Sequence, residues 1–556
     1  MKTPTLHKGS WPGRGRLPVR VAIVATSMTC LALIAQGQTA NNYQIVSRVE
    51  GGLSPCPDIT STKLTDQSVT FTWNGFAGPY QLQRALDLSN PIWDLVGSPT
   101  TNKTLTLPAD QGVGFFRVKG GSPPFTGAET CVECHPGKHD SWAQTRHAGA
   151  FDTLKAIGQG ANGSCLPCHT VGYGTPTGFK DEATTPYFEG VQCENCHGPA
   201  GDHASNPADL SLRPIRELST MMCGGCHTGY HHPTYEDITT SPHPQVVPDV
   251  ASSMISGGAA RITSCGPCHS GAARMAMINS VENGTPLTLP SGDAAAANGV
   301  TCGVCHDAHG GSSNSAQLRN PLASLTPFSY STATNTSFAA QYNAQINLCG
   351  QCHNMRGARW TDTSRPPHHS PQYNILIGAG GVETTAPPQS KHRENPTQCA
   401  GCHVYEHSPQ SSTPQDPVVT GHSFVPDETS CLQCHTATDV AAKKDTLQTE
   451  IQQSIDSVKG LLNTWGSTRA VDALRTKYGG LSWEYSTPGG LSNPTGDATV
   501  KGPTTTEQAL VPDNIKQARF NLYLVYHDQS KGVHNAAYAR YLLAVAQDKV
   551  NTELTP

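Results

Sequence analysis

Nine copies of one pentapeptide, Cys-x-x-Cys-His, lie between residues 131 and 435, and they account for 18 of the 20 cysteines in this 556-residue chain. In chain order, and referred to below as motifs 1 to 9, they are Cys131, Cys134 and His135; Cys165, Cys168 and His169; Cys193, Cys196 and His197; Cys223, Cys226 and His227; Cys265, Cys268 and His269; Cys302, Cys305 and His306; Cys349, Cys352 and His353; Cys399, Cys402 and His403; Cys431, Cys434 and His435. Two thiols three positions apart reach the two vinyl groups of one porphyrin as thioethers, and the next imidazole reaches the iron. The pattern therefore predicts nine covalently bound haem c groups. Structural zinc has no need of a histidine after every second cysteine. Redox disulfides use the pair once per domain. Disulfides inside such pairs would close trivial loops and stabilise little.

Motif starts are 28 to 50 residues apart, too close for each segment to bury a protein core of its own. The expected fold is a mainly α and irregular domain over 126–440 in which haems pack against one another and serve as the core. Gly and Pro make up 96 of the residues, short of a disordered composition, and charged residues are only 14%.

Residues 1–40 carry Lys2, Lys8, Arg14, Arg16 and Arg20 without an acid, then an apolar run from Val21 to Ala35 and small residues at Gly37 and Ala40. This is the plan of a cleaved export signal, and 15 apolar residues are too few for a membrane anchor. No later segment reads as a transmembrane span, so the expected setting is periplasmic or extracellular, including the outer surface. Removing the leader's five cations leaves 32 basic against 42 acidic residues, a net charge of −10. Such a surface repels phosphate backbones and argues against a nucleic-acid partner.

Residues 41–120 alternate in the strand period at Val69, Phe71 and Trp73, at Tyr80 and Leu82, and at Leu105, Leu107, Phe116 and Val118. They predict a small all-β sandwich of immunoglobulin or fibronectin type, a module that positions or docks, with Cys56 as a leftover thiol. Over 441–556, Leu447, Ile451, Ile455, Val458, Leu462 and Trp465 mark an amphipathic helix. A second helix is expected from Pro512 to Tyr526 and a third from an Asn535 cap. These helices should pack on the last haems or form a homo-oligomer interface.

Fourteen histidines remain beyond the leader and the nine proximal positions, enough for an imidazole on both faces of every iron. Distal candidates are His139, His147, His203, His231, His232, His243, His309, His368, His369, His407, His422 and His534. His309 follows His306 by three residues, and His139, His231 and His407 follow His135, His227 and His403 by four. On one helical turn such pairs share a face, so the second imidazole can only serve a neighbouring haem.

Residues 126–203 contain Thr126-Gly127-Ala128-Glu129-Thr130-Cys131, Trp142 with His147, Cys168-His169-Thr170-Val171-Gly172-Tyr173-Gly174 and Gly190-Val191-Gln192-Cys193-Glu194-Asn195-Cys196-His197-Gly198-Pro199. This stretch resembles the family of the tetrahaem cytochrome that accepts electrons from hydroxylamine oxidoreductase. The resemblance implies a loop-rich helical haem wire with stacked pairs and favours His147 and His203 as distal ligands. Asp528-Gln529-Ser530-Lys531-Gly532-Val533-His534-Asn535 is similar to the late helices of multihaem nitrite and hydroxylamine enzymes. There such a histidine can ligate a haem. No Cys-x-x-Cys-Lys is present.

The leading expectation is an electron carrier between a redox donor and a redox acceptor. One rival is an oxidoreductase acting on nitrite, hydroxylamine, nitric oxide or tetrathionate at one five-coordinate haem, with no catalytic residue identifiable. Another is a subunit of an extracellular conductive filament.

Overall fold

The computed structural model describes residues 32–34, the strands between 59 and 120, and residues 124–555 apart from 217, 313, 320–347, 364–366, 410–411, 486–490, 492–496 and 498. The expected cleavage positions at Gly37 and Ala40, together with Cys30 and Cys56, lie outside the described residues. The chain divides into two compact units, Met1–Glu217 and Leu218–Pro556. The division falls inside the region of cysteine motifs, with three motifs in the first unit and six in the second.

The first unit opens with seven strands: β1 (Ala32–Ile34), β2 (Ile59–Leu64), β3 (Ser68–Trp73), β4 (Tyr80–Ala85), β5 (Asp94–Thr100), β6 (Thr104–Pro108) and β7 (Gly114–Gly120). They form two antiparallel sheets, β1-β7-β4-β5 and β2-β3-β6. Alternation places Phe71, Trp73 and Leu107 of the smaller sheet with Tyr80, Leu82, Val96, Phe116 and Val118 of the larger in one apolar cluster. β1 comes from the apolar run of the leader and pairs with β7 at Ala32 and Phe116.

Around motifs 1 to 3 regular structure is short, as haem-dependent segments should be. A small cluster of Phe151, Leu154, Leu166, Val171, Phe179 and Phe188 is buried there, drawn jointly from motif 2 itself and the two successive segments that follow motifs 1 and 2. Glu194, inside motif 3, is 3% exposed. It accepts backbone N–H groups from Gly127 at 2.8 Å, Ala200 at 2.7 Å and Thr126 at 3.0 Å, tying the segments at 126–127 and 200 to one carboxylate. Gly190 has φ +83°, and a Cβ there would stand 2.2 Å from the Ala148 carbonyl oxygen, so only glycine lets this loop seat against His147.

In the second unit the longest helices are α1 (Pro248–His269), non-helical at Gly258, then α2 (Gly271–Asn283), α3 (Ala437–Thr468), α4 (Asp513–Asp528) and α5 (Ala536–Leu554). Ile451, Ile455, Val458, Leu462 and Trp465 of α3 meet Ile515, Leu522 and Tyr523 of α4 and Tyr538, Leu542 and Leu543 of α5 in the largest apolar core. Most of the apolar face of these helices is turned toward one another, with Met355 and Ile375 from the motif region joining the edge. Asn535 caps α5 by accepting from the Tyr538 N–H. The Arg519 guanidinium is buried over the Tyr485 ring at 3.7 Å and lies 3.4 Å from Glu484, which also accepts the Tyr523 hydroxyl at 2.6 Å.

No helix among the described residues is long and apolar enough to cross a membrane.

Candidate functional site

All eighteen motif thiols are unbridged. Among the described residues no three His, Cys, Asp or Glu side chains converge as a metal-binding group. The turn that spaces the two sulfurs is set by the backbone of the motif itself. In motif 1 the Cys134 N–H donates to Cys131 O at 3.3 Å and the His135 N–H returns to the same carbonyl at 2.9 Å. Motif 4 repeats this, with the Cys226 N–H 3.1 Å and the His227 N–H 2.9 Å from Cys223 O. The two turns differ in setting. Cys134 is exposed, whereas Cys226 is half-buried like most of the motif cysteines.

The histidines of the second unit are arranged quite differently. His353 faces His243 with ring centroids 6.0 Å apart, His269 faces His368 at 6.2 Å, and His306 faces His422 at 6.1 Å. His403 faces His534 at 6.0 Å and His435 faces His392 at 6.2 Å. Two imidazoles on opposite sides of one metal, with bonds of about 2 Å, have centroids about 6 Å apart. Each of these five pairs joins one motif histidine to one from elsewhere, so the residues fit an iron held on both faces. A cavity of about 300 Å³ is lined by Cys402 of motif 8 together with Tyr405, Val419, Ser423, Val425 and Asp427.

Hydrogen bonds at the other ring nitrogen support the same reading. Nδ1 of His306 is 2.7 Å from the Ala316 carbonyl, and that of His403 is 2.9 Å from the Phe424 carbonyl. On the facing side, Nδ1 of His392 meets Val533 O at 2.6 Å, that of His422 meets Thr420 O at 2.9 Å, and that of His368 meets Ser370 Oγ at 2.7 Å. A ring that donates from Nδ1 presents a neutral Nε2 lone pair, the form a metal takes. Burial, with a smaller effect from His353, pushes His243 down to about 4, which also keeps it neutral. His534 gives its Nδ1 to a carboxylate, Asp528 at 2.6 Å.

Spacing by itself does not define such a site. His369 and His527 also stand 6.2 Å apart, yet neither follows a cysteine pair, and His527 is oriented by Pro367 O at 2.9 Å. His392 and His527 were both outside the expected distal set. His392 sits in Ser390-Lys391-His392-Arg393, with no aromatic or helical context, and only the fold carries it to His435.

The shared helical turn holds for one of four expected cases. His139 lies in the helix Pro136–Trp142, whose N-terminal neighbour is His135, and its N–H bonds to His135 O at 3.0 Å. At motif 6 the helix ends at Cys305. His306 is extended (φ −109°, ψ 141°) and bridges to Leu318, so His306 and His309 do not share a turn. His309 instead sets Nδ1 3.3 Å from Asp307 Oδ1. His407 bridges to Val419 after its helix has stopped at His403. Past motif 4, His231 stacks on Tyr230 and bonds Ser412 Oγ at 2.8 Å, and His232 lies 6.5 Å from His227. The physical reason is common to all three: the motif's helical turn closes at or before its histidine, and the chain then leaves in an extended or turn conformation.

In the first unit, Nδ1 of His169 is 2.7 Å from Ala150 O and that of His197 is 2.7 Å from Ile215 O. Two buried nitrogens, His139 Nε2 and His203 Nδ1, have no hydrogen-bond partner, as expected of groups kept for something other than protein. His147 is largely buried, which lowers its pKa, and its carbonyl accepts Val191 N–H at 2.8 Å. The Cys131 thiol of motif 1 bonds the Cys193 thiol of motif 3, and His139 stands close enough to influence Cys193 electrostatically. Asn195 Nδ2 of motif 3 donates to Thr170 O, next to motif 2, at 2.9 Å.

The profile of the family "Cytochrome c554 and c-prime" matches residues 130–198 and 348–436. Cytochrome c-554 of Nitrosomonas europaea is 27% identical over 158 residues, spanning 23% of this chain and 67% of its own length. The C-type polyheme cytochrome OmcC of Geobacter sulfurreducens is 26% identical over 233 residues, 39% of this chain, which spans only 28% of that protein. The crystal structure of the outer cell wall cytochrome OcwA superposes with a TM-score of 0.50 at 18% identity, covering 77% of this chain and 99% of that one.

Proposed function

We propose that this multihaem c-type cytochrome, which resembles cytochrome c554 and acts in electron transfer, carries nine haems and passes single electrons along closely packed, mostly bis-histidine centres in each unit. The observation that carries the reading is the set of five facing imidazole pairs, each with one member from a cysteine motif. Haem, when bound, supplies a one-electron ferric/ferrous couple.

The protein's own groups do the rest. Motif cysteines, from Cys131 and Cys134 to Cys431 and Cys434, anchor by thioethers, and their histidines ligate from the proximal face. His243, His368, His392, His422 and His534 ligate from the other face, and His139, His147 and His203 do so in the first unit. Carbonyls at Ala150, Ile215, Ala316, Phe424 and Val533 hold ring tautomers, so little has to rearrange when an electron arrives. A second imidazole assigned to eight of the nine motifs favours the carrier over an oxidoreductase with an open iron. The strand order, with the first, second and fifth of β2 to β7 in one sheet and the others in the second, supports the immunoglobulin or fibronectin-like reading of the β module. Basic n-region residues and the apolar run support export to the periplasm or cell exterior.

Intact mass of the exported protein after acid–acetone extraction should exceed the processed polypeptide by nine haems. Low-temperature electron paramagnetic resonance should be dominated by low-spin ferric signals that ignore nitrite, hydroxylamine and nitric oxide. A high-spin signal that shifts with any of these would instead favour the enzyme.

A further inference from the structure

The spatial order of the six motifs in the second unit differs from their order in the chain. Cys223 of motif 4 shares a thiol hydrogen bond with Cys302 of motif 6. The two thiols of motif 7 point to different partners: Cys349 bonds Cys399 of motif 8, and Cys352 bonds Cys268 of motif 5. The contact between motifs 5 and 7 is reciprocal, with Cys268 Sγ 3.9 Å from Gln351 O and Cys352 Sγ 3.9 Å from Pro267 O. Cys305 of motif 6 lies within electrostatic reach of both Cys349 and Cys352. Cys402 of motif 8 is similarly close to Cys431 and Cys434 of motif 9. At the junction, buried Arg274 of α2 bonds the Gln351 side chain and holds this helix to motif 7.

These sulfurs stand for thioethers in the mature protein, where each is one carbon away from a porphyrin edge and no longer ionises. Sulfur contacts therefore report which porphyrin edges approach most closely. Sulfur contacts join motifs 4 and 6, 7 and 8, and 5 and 7, and the longer-range proximity of motif 6 to 7 and of 8 to 9 completes a line 4–6–7–8–9 with motif 5 attached at motif 7. We propose that the wiring of the second unit branches at the motif Cys349–His353, and that the motif Cys265–His269 is a side arm with its own point of electron entry or exit. Three ends follow, at motifs 4, 5 and 9. Electrons moving between motifs 4 and 9 need not visit motif 5, which is free to serve a third one-electron donor or acceptor.

This rests on the haem reading above, and its test is separable from it. A crystal structure of the exported holoprotein, with irons located by anomalous scattering, should show the iron on His353 with three near neighbours, those on His269, His306 and His403. An iron on His269 lying between those on His227 and His306 would overturn the branch while leaving a nine-haem carrier intact. Absence of covalent haem would remove both. A second measurement uses the Cys265→Ser, Cys268→Ser holoprotein, checked by mass for loss of one haem. A photosensitiser attached at Asp445→Cys, on the helix that follows motif 9, would inject electrons. Fast equilibration should still reach motif 4. A slow phase confined to motif 4 would mean that motif 5 is in line, and the proposal would fail.

Discussion

Asp528 and His534 form a buried carboxylate–imidazole pair, with Oδ1 2.6 Å from Nδ1 and the Asp528 side chain 1% exposed. Ser530 Oγ also bonds this carboxylate. Among the facing pairs described above, the outer nitrogen of His534 meets a full negative charge, whereas those of His306, His403, His392, His422 and His368 meet a carbonyl or a hydroxyl. A carboxylate there gives the ring imidazolate character, strengthens donation to a metal on Nε2 and favours the more positive oxidation state.

Asp528→Asn should therefore raise the reduction potential of the centre held by His403 and His534. A spectropotentiometric titration of the holoprotein should show about one ninth of the α-band change moving to higher potential. An unchanged titration would mean that His534 is not a ligand.

His392→Ala should open one coordination position at motif 9, because His392 is the ring facing His435. We expect one equivalent of high-spin ferric iron, reversed by added imidazole, with the haem count unchanged by mass. Retention of nine low-spin centres would assign His392 to the surface.

His309 sits beyond motif 6, whose Cys302 touches Cys223 of motif 4, and Asp307 orients its Nδ1. His309→Ala is expected to open the iron on His227 while the His306–His422 pair stays closed. The double variant His309→Ala, His422→Ala should then show two high-spin equivalents. One equivalent in the double variant would mean that His309 ligates nothing, leaving His232 as the ring nearest motif 4.

Glu194→Ala would strip three buried or half-buried backbone N–H groups of their acceptor, at roughly 1–3 kcal/mol each when left unsatisfied. Destabilisation of about 3 kcal/mol or more is expected in the first unit. Calorimetry on the holoprotein should show its transition lowered, with that of the second unit unmoved. Equal shifts in both transitions would contradict a local role.

The haem anchors and proximal ligands are legible in the sequence because their chemistry is local: two thiols and an imidazole within five residues need no tertiary structure to meet. The strand alternation around Phe71, Trp73, Tyr80 and Leu82 and the heptad-like steps from Ile451 to Trp465 are local signals of the same kind, set by periods of two and 3.6. Distal partners are another matter. His392 reaches His435 and His243 reaches His353 across 43 and 110 residues, and nothing in their immediate neighbourhood marks them, since a ligand on the open face is chosen by how loops close. The helical-turn argument held at His139, where Pro136 starts a helix at once, and failed at His309, where the chain turns extended at His306. Which motifs touch is likewise a property of packing: Cys352 meets Cys268, 84 residues earlier, only because α1 and α2 bring motif 5 against motif 7. Nine local groupings of two thiols and an imidazole were written in the sequence, while which histidines face them and which motifs approach one another came from the tertiary structure, because long-range loop closure leaves no short-range trace.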